Sequence, residues 1–319
     1  MLKFFKELGL EIFDVSTTLF KILIPVIIIV KLLNMLGATT YLSAMLAPVM
    51  SLVGLPEAVG IVWATTLVTN IYAGMLVYVN FGVHESLSVA QVTVMASMML
   101  VAHGLPIEGT IAKKAGVNTW LTLFLRIGGA LFYGWCLHKL YSSGGWLQQP
   151  AQMVWQPSSA QDNSLPAWAI AQVKSLGLVV VIIAVLLLCL KILKVLGIER
   201  LVAWLLQPIL RLLGIGREAT TITIVGITLG LSYGGGLLIN EARKGAVPPR
   251  DVATAMLMLG LLHSVIEDTL LLLLIGADLS GLLWGRLILT FVVIALISRL
   301  MNVLGETRCR RYFYKSVSR

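Results

Sequence analysis

The chain matches itself at an offset of 160 residues, and the matches fall in residue types that seldom coincide by chance. Lys31 stands opposite Lys191, Leu36-Gly37 opposite Leu196-Gly197, and Pro48 opposite Pro208. Further along, His103 meets His263, Gly116 meets Gly276 and Arg126 meets Arg286. Between these blocks one inserted residue moves the offset to 161, pairing Glu57-Ala58 with Glu218-Ala219, Tyr72 with Tyr233 and Gly74 with Gly235. Apolar residues coincide in any membrane protein, but an ordered series of lysine, proline, histidine and arginine does not. The fold must therefore be built from one unit used twice.

That unit belongs in a bilayer. Only 12% of the residues are charged while 58% are hydrophobic, and mean hydropathy is +0.92, too little charged surface for a soluble domain. Several apolar runs approach the ~20 residues that span a hydrocarbon core. The first of them, Phe20–Leu36, follows an amphipathic stretch at 1–16, in which Leu2, Phe4, Phe5, Leu8, Leu10 and Phe13 are interleaved with Lys3, Lys6, Glu7, Glu11 and Asp14. No small-residue cleavage site follows, so a retained helix is expected rather than a signal peptide. The net charge of +9 sits mostly in loops and tails, which fits a positive-inside bias and not a nucleic-acid partner. Cys136, Cys189 and Cys309 have no ligand spacing, so neither a disulfide framework nor a zinc site is indicated.

The expected architecture is an all-α polytopic membrane protein with two inverted repeats of about five membrane segments each and broken helices near the midplane. An amphipathic N-terminal helix (1–16) precedes repeat 1 (17–141), a linker (142–176), repeat 2 (177–301) and a basic tail (302–319). The linker has almost no charge beyond Asp162 and reads as extracytoplasmic, whereas Arg308, Arg310, Arg311 and Lys315 read as cytoplasmic. Each repeat then crosses an odd number of times, which makes the halves opposite in orientation. Segments 40–54 and 200–214 are short for spans and are expected either to cross or to lie at the interface. The topology places Lys113-Lys114, Lys191, Lys194, Arg200, Arg243-Lys244 and Arg250 on the cytoplasmic side, with Lys139, Lys174, Arg211 and Arg217 outside.

Polar residues inside spans are costly and mark function or pairing. The third segment of repeat 1 carries Thr65, Thr66, Thr69, Asn70, Tyr72 and Gly74, and its partner carries Thr228, Gly230, Ser232 and Tyr233-Gly234-Gly235-Gly236. The three glycines weaken a helix and either expose carbonyls and amides to an ion or allow close helix packing. In the fourth segments His103 is followed by Gly104, Pro106 and Glu108, and His263 by Glu267-Asp268. Pro106 should end the helix arriving from Ser88. The candidate binding residues are therefore Asn70, Tyr72, His103, Glu108, Ser232, Tyr233, His263, Glu267 and Asp268. Arg126 and Arg286, inside the fifth segments, are expected to serve as their counter-ions. If the two histidines share a site they should approach across the twofold axis, and their titration would couple binding to protons. The plainer reading has each histidine cap its own broken helix. His84 and Glu85 are expected in a solvent-exposed loop.

These motifs resemble the nucleoside-recognition, or Gate, domain family of membrane proteins. The resemblance is carried by Thr65–Gly74, its partner Thr228–Gly236, and the His-Gly-Leu-Pro-Ile-Glu-Gly-Thr turn at 103–110. It covers nearly the whole chain outside the linker and tails, and looks like a fusion of spore maturation proteins A and B. The family also includes the membrane gates of ferrous iron transport protein B, and concentrative nucleoside transporters share the module.

With no Walker loop, Rossmann fingerprint or nucleophile elbow in the sequence, no enzyme activity and no cofactor are expected. The expected function is that of an inner-membrane permease binding a small polar or ionic solute between the two repeats, with the lipid bilayer as its surroundings. Homo-oligomerisation is compatible with this. A membrane assembly or maturation factor, or a translocase of a lipid-linked substrate, is the alternative. The sequence names neither a metal nor a solute.

Overall fold

In hydrocarbon every backbone N–H and C=O must find a partner within the chain, so apolar runs of this length become helices. The computed structural model describes residues 2–80, 86–154 and 164–315. His84, Glu85, Asp162 and the end of the basic tail lie outside the described residues, as do the side chains of Leu2, Lys3 and Phe5. Repeat 1 contains α1 (Leu2–Met35), α2 (Ala38–Leu52), α3 (Val59–Val68), α4 (Ile71–Asn80), α5 (Val89–Val101), α6 (Leu105–Lys114) and α7 (Thr119–Gly144). Repeat 2 contains α8 (Leu165–Val195), α9 (Ile198–Leu212), α10 (Arg217–Leu229), α11 (Leu231–Lys244), α12 (Pro249–Leu261), α13 (Val265–Leu273) and α14 (Arg286–Tyr312), the last entered through a π-helical turn at Ser280–Gly285. Among the described residues there is no strand, only the isolated bridges Ser88–Pro150 and Val117–Tyr314.

Both ends of α2 and α9 and of α5 and α12, and the starts of α4 and α11 and of α6 and α13, recur 160 residues apart, and so do the left-handed turns that end helices: Gly37 with Gly197 (φ 70° and 76°), Gly54 with Gly214 (69° and 82°) and Gly116 with Gly276 (86° and 87°). The duplication is thus written in the backbone as well as in the side chains. Two boundaries differ from expectation. α1 runs unbroken through the junction of the amphipathic stretch and the first segment. α8 starts at Leu165, well inside the stretch assigned to the linker, because Ser164 caps it on the Ala167 amide and Pro166 sits in its first turn.

The third and fourth segments of each repeat are divided, in different ways. α3 packs along α4, and α10 along α11, so each third segment folds back as a hairpin. A methyl group placed on Gly234 would overlap the backbone of Gly226. Eight residues along a straight helix would separate them by about 12 Å. By contrast α5 and α6 continue in line as one 26-residue apolar span, Val89–Lys114, and α12 and α13 as Pro249–Leu273. Their breaks, at 102–104 and 262–264, fall halfway along. Pro106 lies in the first turn of α6, where its missing N–H costs nothing, and the left-handed Gly104 (φ 55°) makes the turn. Repeat 2 makes the same turn without a proline, with Ser264 at φ 45°.

The relative direction of the repeats follows from what touches the two ends. Ser88, at the start of α5, bridges to Pro150, and Val154 N–H donates to Leu274 O (2.9 Å) just beyond α13. This is the linker end. At the other end, Lys315 N–H donates to Gly116 O (2.8 Å) after α6, and Arg250, at the start of α12, donates to Asn302 Oδ1 (2.6 Å) on α14. The α5–α6 span therefore runs from the linker end to the tail end, and the equivalent α12–α13 span runs the opposite way. The repeats are inverted.

Each repeat contributes three of the six described helices long and apolar enough to cross a bilayer, the odd count that inversion requires. α2 and α9, of 15 residues each, reach only about 22 Å and fall short of the ~30 Å core. This corrects one placement made from sequence. The Gly216 amide donates to Asp251 Oδ2 (3.1 Å), so α10 starts beside α12 at the tail end, and Arg217 joins the basic end instead of the opposite one. Arg211 goes with it, because Gly214 abuts Ser298, whose carbonyl accepts from Arg250. The basic bias between the ends is accordingly sharper than the sequence suggested. Trp120 and Phe124 on α7, and Ile288, Val292 and Leu296 on α14, are exposed along stripes that face lipid, whereas α5 and α12 are buried on nearly every side.

Candidate functional site

A helix broken in the bilayer leaves carbonyls without their intrahelical donors. Here buried side chains take them over, in a pattern that is nearly twofold. His103 Nδ1 reaches Met99 O (2.9 Å) and His263 Nδ1 reaches Leu259 O (2.7 Å). Arg126 Nε donates to Val101 O (3.0 Å), and Arg286 Nε to Leu261 O (2.9 Å). Both arginines are 1% exposed, so without these bonds each would be an uncompensated charge in the core. The symmetry fails at their outer nitrogens. Arg126 Nη1 grips Glu108 Oε2, whereas Arg286 Nη2 spans the two repeats, donating to Leu100 O (3.3 Å) and His263 O (3.1 Å). Arg286 is thus a brace for carbonyls, and the carboxylate pairing expected of it is absent among the described residues. Asp268, the counterpart of Glu108, keeps a buried Oδ2 with no hydrogen-bond partner among the described residues.

The two histidines meet. Their Nε2 atoms are 3.0 Å apart, and Glu108 Oε1 lies 3.1 Å from the first and 3.5 Å from the second. Carbonyl oxygens only accept, so each Nδ1 carries the hydrogen of its bond to Met99 O or Leu259 O. In a neutral imidazole the Nε2 then carries a lone pair. Two lone pairs and a carboxylate oxygen converge on one point, an arrangement that calls for a cation between them. Capping of the broken helices and approach across the axis are therefore both present, through different nitrogens of the same rings.

The hairpin tips close over this cluster. Gly104 N–H donates to Thr66 O (3.0 Å), tying the α3–α4 hairpin to the break of its own repeat. In repeat 2 the turn is Gly230, at φ 101° and ψ 160°, a conformation open only to glycine, and it sits against Ser264. A cavity of about 260 Å³ lies between the tips and the breaks, lined by Asn70, Tyr72, Ser232, both histidines, Glu108 and Asp268, with Leu19 of α1 at its wall.

Of the residues singled out from sequence, Asn70 lines the cavity while its Oδ1 caps α4 on the Ala73 amide (2.9 Å). Glu267 neighbours Tyr72 and lies off the twofold set, because its counterpart is Ile107. Tyr233 is 62% exposed and is not part of the cavity wall. The reason is register. α4 and α11 begin 160 residues apart, so Tyr72 corresponds to Ser232 and Gly74 to Gly234, and the pairing at 161 was one residue out. The glycine triplet does not open the helix either: Gly234 and Gly235 are buried within α11, where they allow close packing. Ser264 was missed as a cavity residue, and the signal available for it was its alignment with Gly104; Gly230 was named in the polar third segment but not among the candidate binding residues.

Among known proteins the chain is 31% identical over 280 residues to the uncharacterized membrane protein YvoD of Bacillus subtilis (strain 168), a match covering 86% of this chain and 87% of that protein. No family model matches, and no solved structure matches.

Proposed function

The chain belongs to the membrane-protein family of YvoD, and we propose that it acts there as a secondary-transporter-like permease for a small polar or ionic solute. The observation that carries this reading is the cavity of about 260 Å³ at the middle of the molecule, where two helical hairpins and two broken spans from inverted repeats converge on ionisable side chains. Irregular backbone at that depth is tolerated where it lines a water-accessible site, and inverted repeats give such a site two equivalent routes of access. The Gate-type likeness of Thr65–Gly74, Thr228–Gly236 and residues 103–110 supports the same reading, since these stretches form the hairpins and the first break. No enzymatic step is part of the proposal.

The test needs no knowledge of the solute. In a background with Cys136, Cys189 and Cys309 replaced by alanine, Ser232→Cys is treated with a membrane-impermeant thiol reagent in oriented vesicles. A permease is expected to expose this residue to reagent from each side in turn. Labelling from neither side, or only ever from one, would overturn the reading in favour of a membrane assembly factor.

The proposed location is the bacterial cytoplasmic (inner) membrane, with both termini and the tail end in the cytoplasm. Lys113, Lys114, Arg243, Arg310, Arg311 and Lys315 surround one cavity at that end, the charge distribution expected of a cytoplasmic face. In the same background Thr307→Cys should react only from the cytoplasmic side and Ser143→Cys only from outside. Reaction of both from one side would contradict the proposed orientation.

A further inference from the structure

We infer that His103 and His263 form, on the pseudo-twofold axis, a binding site for a single divalent transition-metal cation, with Glu108 and Asp268 as carboxylate donors. This names the class of ion for the cavity described above, and rests on the permease reading only for the claim that water reaches it. His103 Nε2, His263 Nε2 and Glu108 Oε1 form a triangle with edges of 3.0, 3.1 and 3.5 Å. Ligands of a small cation with bonds of about 2.0–2.2 Å stand at such separations from one another, with the ion slightly out of their plane. Asp268 supplies the next donor. One of its carboxylate oxygens and a ring nitrogen of each histidine lie within 4.8 Å of one another, and its buried Oδ2 has no hydrogen-bond partner among the described residues.

The surroundings favour a metal site in two respects. The outer nitrogen of each ring is held by a backbone carbonyl, Met99 O or Leu259 O, which fixes Nε2 as the coordinating atom and sets the ring plane. Glu108 gives Oε2 to Arg126 and turns Oε1 to the histidines, so the arginine orients the carboxylate without occupying its free oxygen. Two imidazoles with carboxylates suit zinc, iron or manganese; magnesium and calcium prefer all-oxygen shells. The ionisable groups facing the pair are Glu108, Asp268, Arg126 and Arg286, with Glu267 a further carboxylate on the Tyr72 side.

Full-length protein, purified in detergent and stripped with a chelator, is titrated with Co2+, with Zn2+ as competitor. The expected result is one Co2+ per chain, with the visible bands of a low-coordinate nitrogen–oxygen site. His103→Gln and His263→Gln should each weaken binding at least 10–100-fold, since loss of even an outer-shell partner has roughly that effect, and His138→Gln, at the linker end, should bind as wild type. Should the site variants fail to fold, X-ray absorption of the Zn2+-loaded wild-type protein decides, with two imidazoles at about 2.0–2.1 Å expected. Absence of Co2+ binding by the wild type, undiminished binding by the folded His103→Gln/His263→Gln double variant, or a zinc shell without imidazole would overturn the proposal and leave the pair sharing a proton. Labelling of Ser232→Cys from both sides would leave the permease reading standing in that event. Metal binding with Ser232→Cys unreactive would keep the site and remove the permease.

Discussion

Arg286→Met is expected to be among the most damaging single substitutions in the molecule, lowering stability by on the order of 5 kcal/mol and abolishing accumulation of folded protein. The guanidinium donates to Leu261 O and His263 O of its own repeat and to Leu100 O of the other. Each carbonyl left buried without a donor costs about 1–3 kcal/mol. Asp268 loses a buried neighbouring cation at the same time. Arg286→Lys keeps the charge but has one compact donor group in place of a fork spread over three acceptors, so it should recover only part of the loss. The measurement is the thermal midpoint of protein extracted in mild detergent, together with the monodisperse fraction on size exclusion. A midpoint for Arg286→Met within a degree or two of wild type would mean that the two repeats are not braced through this residue.

Glu108→Gln should cost about 3–5 kcal/mol in metal-free protein, because it strands the Arg126 guanidinium in the core. The informative comparison is the double variant Glu108→Gln/Arg126→Met. Removing both charges of a buried pair is often close to neutral, so most of the loss should return. The remainder, about 1–3 kcal/mol, is assigned to Val101 O, which Arg126 Nε no longer satisfies. If the double variant were no more stable than Glu108→Gln alone, the pair would not be the reason these residues face each other. The two arginines, at matched positions, thus differ in what they do: Arg126 fixes a carboxylate as well as one carbonyl, and Arg286 fixes carbonyls.

Much of this was legible in the sequence because it depends on residue type and spacing. Polar residues at a fixed offset implied a duplicated unit, and low charge with long apolar runs implied helices in a bilayer. Histidine and carboxylate in both fourth segments marked the places where those helices break. The register of the third segment was not legible. Glycines and a repeated tyrosine aligned equally well one residue out, and only the hairpin geometry, with Gly234 against Gly226, separates the two alignments. Pro106 drew attention to the right turn for the wrong reason, since Ser264 makes the same turn with no proline nearby.

What the sequence determined by itself, then, was the repeat, the membrane class and the cluster of ionisable residues, all properties of a linear pattern. What only the tertiary structure decided was partnership. Whether His103 faces its own helix or its counterpart 160 residues away, and whether an arginine holds a carboxylate or a carbonyl, depends on how two inverted units cross. Direction is the physical reason: each break exposes donors and acceptors to every element around it, and the choice among them follows from which side chain arrives within about 3 Å at a usable angle.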